Sequence, residues 1–384
     1  MKRKYFFRQL IFLGLFVAGF AGCKTEYDPP LKPLQSNLLV VEGFIDGAAP
    51  TIITLSRTRM ITTGDTASVK HELGARVTVE DDKQNRFLLQ EMGEGVYSSL
   101  DILNLNPTNK YCIRINTRDG KEYISDFVSY KQSPPIDSVG WYLKNDGVQM
   151  YANTHDDTKQ SRYYRWTYVE TWEFHSLFDT DFEYFFDINK VLPITDRIYR
   201  CWNTKAATNI LIGSSTKLTD DVIFQEPLAF IEPHSKKMSV LYSILVTQYS
   251  MDINAFNYWE AMKNNTEKVG SIFDPQPNQT VGNIHSVATP SERVVGYIGA
   301  GASVQKRVYV NNRDLPDKWN TYETCDIIEV SSNSDSTKMY FGTQGFVPIS
   351  EGLDPAGRVF YTAALQHCVD CRLLGTNVKP DFWP

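Results

Sequence analysis

The sequence predicts a mainly β protein, with an N-terminal immunoglobulin-like β-sandwich followed by a second β-rich domain that holds one clear α-helix. Three observations carry this. Residues 37–132 break into about seven short apolar-patterned runs separated by turn residues, the strand count and spacing of a sandwich of about a hundred residues. The run RYYRWTYVETWEF sets Tyr164, Trp166 and Tyr168 in alternation with Arg165, Thr167 and Val169, the period of a strand with an aromatic face. One stretch, DINAFNYWEAMKNNTEKVG, has a convincing helical period. Aromatic residues make up 13% of the chain and charged residues 22%, so it has ample side chain to bury and is not of a disordered class.

Residues 1–22 read as a targeting segment. Lys2, Arg3, Lys4 and Arg8 form a basic start, and the apolar run Leu10 to Ala21 is shorter than the about 20 residues that a membrane-spanning helix needs. The small residues Ala21 and Gly22 then precede Cys23. This arrangement resembles the lipobox of bacterial lipoproteins, with Phe20 where that pattern usually has Leu. The resemblance implies cleavage before Cys23 and lipidation of its thiol; a plain secretory signal beside a chance cysteine is the simpler alternative. Lys24 stands where lipoproteins kept in the inner membrane carry Asp, which implies the outer membrane. Glu26 and Asp28 fit loosely with the acidic export signal of surface lipoproteins, which implies a lipid-anchored protein facing the cell exterior. Pro29, Pro30 and Pro33 give residues 23–36 the character of an extended tether.

Loss of residues 1–22 removes four positive charges and takes the net charge from −6 to −10. Such an acidic chain is not built to bind nucleic acid or an anionic membrane surface. Its remaining length suggests about two domains. Five cysteines follow Cys23: Cys112, Cys201, Cys325, Cys368 and Cys371. An odd number leaves one unpaired. In KYCIRI, Tyr111, Ile113 and Ile115 share a strand face and Cys112 lies opposite with Arg114, which nominates Cys112.

Within 37–133, ARVTVEDDKQNRFLLQ reads as two strands about a polar turn. Gly93 and Gly95 mark a turn before Val96, and YCIRINTRDGKEYISDF is a hairpin with Asp119-Gly120 at its tip. Ser133-Pro134-Pro135 closes the module, and residues 134–384 form the second domain. There MSVLYSILVTQYS is apolar almost throughout, as a central strand is. The helix covers residues near 253–268, with Asp252 as its cap and Gly270 beyond its end. Phe256, Trp259 and Met262 fall on one side of it and read as core anchors rather than a ligand box. SIFDPQPNQTVGNI follows as a long proline-bearing loop, and RVVGYIGAGASVQKRVYV returns to strands.

Candidate chemistry is sparse. HCVDC, His367 to Cys371, fits a redox pair, half of a zinc site completed by Cys201, Cys325 or His367, or two disulfides. The βαβ frame of a thiol oxidoreductase is missing, and outside the cytoplasm disulfides are the better reading, with Cys201 and Cys325 as partners of Cys368 and Cys371. IGAGAS, Ile298 to Ser303, lacks the third glycine of a dinucleotide loop and reads as a glycine-softened strand. The histidines at 71, 155, 175, 234, 285 and 367 follow no metal spacing, and no GxSxG occurs. The pairs Asp81-Asp82, Asp156-Asp157 and Asp220-Asp221 lie in turn-like settings and read as solvated. The sequence thus offers no catalytic residue, metal or cofactor, although two distant carboxylates could still converge in a cleft.

Longer stretches carry a family likeness. LVVEGFIDGAAPTIITLSRT, YRCWNT, FNYWEAMKNNTEKVGSIFDPQPNQTVGNIHS and CVDCRLLGTNVKPDFW resemble a Bacteroidota outer-membrane lipoprotein family catalogued as domain of unknown function 4249. The resemblance implies a lipid-anchored accessory protein beside a TonB-dependent transporter, binding substrate or steadying the transporter, and carries over no catalytic residue. A secreted hydrolase or an adhesive surface module are the alternatives from other classes. For the transporter reading, the expected contact is the stiff loop 271–284 with Phe273, Pro275, Pro277 and Ile284, next to aromatic surface of the second domain.

Overall fold

Alternation sets the first strands. In Leu39–Asp46, Leu39, Val41 and Ile45 are buried while Glu42 is exposed; in Ile52–Arg57, Ile53 and Leu55 face inward. Val77, Val79, Ile113 and Ile115 join them, with Tyr97 and Tyr123, in one core. Each such fully buried aliphatic side chain contributes about 1.5–3 kcal/mol relative to exposure. The computed structural model describes residues 37–59, 69–267, 281–316, 319 and 324–384.

The strands around this core pair in a ring. Leu39–Asp46 pairs with Ile52–Arg57, and the path runs on through Val96–Ser98, Arg86–Gly93, Arg76–Asp81, Lys110–Asn116 and Val128–Gln132. Ala300–Ala302 then lies parallel to both Val128–Gln132 and Leu39–Asp46, which closes an eight-stranded, barrel-like sheet. An eight-stranded ring is just wide enough for its side chains to fill it. The chain is mainly β, as its patterning predicts. The registers do not establish the immunoglobulin-like sandwich expected of residues 37–133, because pairing is continuous round the ring rather than split between two sheets. Residue 132 marks where the chain leaves this ring, not where the ring is complete: Val294–Val295 and Ala300–Ala302 return to it, and Ile284–Ser286 pairs with Glu122–Ser125, a strand that flanks Lys110–Asn116. Glycine makes the closing strand possible. A Cβ on Gly301 would lie 1.9 Å from the Lys131 carbonyl oxygen, so the backbone of Val128–Gln132 could not approach as closely.

The next region is a sandwich. One sheet holds Ile136–Lys144, Gly147–His155 and Val222–Ile231. The other is built on Tyr163–His175, flanked by Arg200–Ala206 and Leu211–Ser214, and on Leu241–Met251, flanked by Val304–Asn311. Tyr164, Trp166 and Tyr168 bury their aromatic face between the sheets, against Met150, Ile231 and Val246. Leu241–Met251 is paired on both sides, as its nearly continuous apolar run predicts. Gln248, fully buried, accepts from the Trp166 indole (2.8 Å) and donates to the Pro134 carbonyl (2.9 Å) and the Thr154 hydroxyl (3.0 Å). It thus fixes both sheets to the Pro134-Pro135 junction.

A third layer combines the C-terminal strands with one hairpin from within the sandwich sequence. Ile328–Ser331, Val359–Leu365 and Phe346–Leu353 form a small sheet, and the hairpin Phe182–Phe185 with Lys190–Pro193 packs on it through Tyr184, Val330, Phe341 and Ala363. The C-terminal residues then run back along the sandwich. Thr376 exchanges backbone hydrogen bonds with Trp202, Phe382 accepts from the Tyr309 hydroxyl (2.6 Å), and the Trp383 indole donates to Glu173 (2.9 Å).

Candidate functional site

A cleft lined by a stacked arginine and aromatic rings lies between ring and sandwich. Arg165 occupies the strand face opposite the buried aromatics, directly across from Tyr249 of the next strand. Its guanidinium carbon sits 3.9 Å from the centre of the Trp259 ring and 5.8 Å from that of Tyr249. The helix Ile253–Glu267 presents Trp259, and its first turn is capped by Asp252, which accepts from the Ala255 amide (2.8 Å) and the Tyr297 hydroxyl (3.4 Å). Phe44 closes the ring's side, edge-on to Tyr249 at 4.8 Å. Burial holds the Arg165 guanidinium below the usual arginine range.

The helix falls where the sequence places it, and Phe256, Trp259 and Met262 do pack on its side. Its buried anchors, however, are Ala255 and Tyr258, while Trp259 lines the cleft. Sequence reading missed Arg165 as a site residue. The available signal was a lone cation in the middle of an otherwise aromatic strand.

Among the described residues the cysteines form two disulfides, Cys201–Cys371 and Cys325–Cys368. Cys112 is free and fully buried, and burial pushes its thiol up to about 11, so it is an unreactive core residue. Cys325, His367 and Cys368 bring possible ligand atoms within 4.8 Å of one another. Two of those atoms are the bonded sulfurs, so the trio does not read as a zinc site.

The other expected sites separate. Ile284 is 3% exposed, pairs with Ser125 of the flanking strand Glu122–Ser125 and packs in the ring's core, so it is a core residue and not a partner contact; its strand addition depends on a pairing that local sequence does not show. Phe273, Pro275 and Pro277, with Cys23, lie outside the described residues. The histidines disperse: His155 pairs with Asp137 (2.8 Å), His175 with Glu173 (3.2 Å) and His285 with Asp126 (3.1 Å). Two of the acidic pairs depart from the solvated reading. Asp81 is buried and accepts from the amides of Lys83 and Asn85, and Asp221 is buried against the hydroxyls of Tyr164 and Ser215. Both hold turns together rather than meeting in a cleft.

Ring, sandwich and disulfide-linked third layer define a mainly β protein with an aromatic cleft that carries a cation. The chain belongs to the family described as a domain of unknown function, DUF4249, whose model matches residues 24–307. The matched range contains the YRCWNT and FNYWEAMK stretches and the hairpin Phe182–Phe185/Lys190–Pro193, and it stops short of the small sheet from Ile328 onward and of the CVDC stretch. No curated protein matches the chain.

Proposed function

We propose that this chain is a lipid-anchored outer-membrane accessory protein, facing the cell exterior, that works without catalysis beside a TonB-dependent transporter, binding its substrate or steadying it. The observation that carries this reading is the order of the N-terminal sequence: an apolar run ending in Ala21-Gly22-Cys23, then a proline-bearing stretch, then the first described strand, Leu39–Asp46. The family match supports it, since the matched range starts at residue 24, directly after the cysteine proposed to carry the lipid. An immunoglobulin-like origin of residues 37–133 belongs to the same proposal and rests on their strand count alone. The anchor is tested by fractionating cells that carry Cys23→Ala. Bacterial lipid anchors combine several acyl chains, and a single chain binds only marginally, so the wild type should pellet with outer membranes and the variant should not. A variant that still pellets like the wild type removes the anchor from the account.

A further inference from the structure

The Arg165 cleft has features of a site rather than of packing alone. A guanidinium stacked on an aromatic ring uses its face; its N–H donors lie in its plane and remain to be met. Arg165 has no carboxylate within ion-pair distance and no hydrogen-bond acceptor among the described residues; its contacts are the Trp259 and Tyr249 rings. The fully buried side-chain nitrogens or oxygens without a partner among the described residues are the Trp202 and Trp319 indole nitrogens; those of Arg165 are not among them, and Arg165 lines the cleft. Lys131 also lines it, while Asp252 is committed to the helix cap and to Tyr297. On the ring's side the wall is the Phe44 ring packed over Gly299, where a Cβ would come within 3.0 Å of that ring.

Size and shape select the ligand. The free space is about 30 Å³. A water-sized group needs about 10–15 Å³ of such space, so two fit, as the two oxygens of a carboxylate would. The planar fork of an arginine matches that pair of oxygens in bidentate fashion. Phe44, Tyr249, Trp259 and Tyr297 wall this same space, so the carboxylate fills it and an apolar or aromatic remainder would lie outside, against the rims of these rings.

We propose that this cleft binds the carboxylate of an apolar organic acid or of a peptide C-terminus, with the edge of Arg165 as its receptor and Trp259 holding that edge in place. The inference does not depend on the transporter reading and fails separately from it.

Calorimetric titration of the full-length protein in detergent tests it with matched probes. These are 3-phenylpropionate and its amide, a tripeptide ending in Phe with a free or an amidated C-terminus, and inorganic phosphate. The expected result is binding of the acid, the free-ended peptide or both, with each amide weaker by about tenfold or more, the loss of one charge-assisted hydrogen-bonded pair. Binding of the acid alone assigns a small-molecule source, and binding of the peptide alone assigns a chain end. Arg165→Met, which keeps the stem against Trp259, should reduce acid binding by the same factor. Should that variant not fold, Arg165→Lys keeps the charge, loses the fork, and should still weaken the acid. No binding of either carboxylate, equal binding of acid and amide, tighter binding of phosphate, or wild-type affinity in a folded Arg165 variant would each overturn the proposal.

Discussion

Glu173 shows how single residues hold the C-terminal strap. Its carboxylate is buried and accepts from Arg200 (2.7 Å), from the Trp383 indole (2.9 Å) and from His175 (3.2 Å). Burial pushes this carboxyl up, but the hydrogen bonds from Arg200 and Trp383 outweigh it and hold the group below its usual range. A depressed folded value means stability that is present above the unfolded value of 4.5 and is lost as pH falls through the folded one. Glu173→Gln should therefore cost about 1–3 kcal/mol at pH 7, the cost of leaving a buried partner set poorly met, and the cost should shrink below pH 4. Thermal unfolding of both proteins at the two pH values checks this, and an equal gap at both would count against the charge. At this scale the sequence was legible where parity or alternation decided. Odd parity with strand alternation isolated Cys112, and alternation put Tyr164 and Trp166 inside. Alternation also put Arg165 on the other face, but the residues covering that face come from 44 and from 259, beyond the reach of local pattern.

Elements were legible where a turn or cap announced them. Asp119-Gly120 makes its hairpin turn, with Gly120 at φ 84°, and Asp252 caps its helix through the Ala255 amide. Closure of the ring was not legible, because it joins residues 300–302 to strands more than 160 positions earlier. It should nonetheless be fragile at one position. Gly301→Ala forces a methyl onto the Lys131 carbonyl, and a backbone atom cannot swing away, so the variant should lose about 1–3 kcal/mol or more. Amide hydrogen exchange should quicken in Val128–Gln132 first; unchanged protection there would contradict the closure. The two disulfides make a paired test. They span 170 and 43 residues, so chain entropy makes Cys201–Cys371 the stronger by about 1 kcal/mol. Replacing each pair by serine and comparing denaturant midpoints should rank them in that order, and the reverse order would contradict the entropic account.

Across the whole molecule, ring, sandwich and third layer are interleaved rather than strung in sequence. The chain leaves the ring at residue 132, builds most of the sandwich, returns to close the ring at 300–302, and re-enters the sandwich at Val304–Asn311. A reading by successive segments therefore recovers the mainly β class but not the module boundary. Covalent geometry limits residues 23–36 to a reach of roughly 50 Å, so an anchor at Cys23 would keep the folded unit close to the bilayer and to any transporter there. The most direct test of the partnership is a native pull-down through a C-terminal tag in mild detergent, with the recovered proteins identified by mass spectrometry and Cys23→Ala run alongside. The account predicts a TonB-dependent outer-membrane transporter with the wild-type protein and depletion of that transporter with the variant. Recovery of the wild-type protein without any outer-membrane transporter would contradict it.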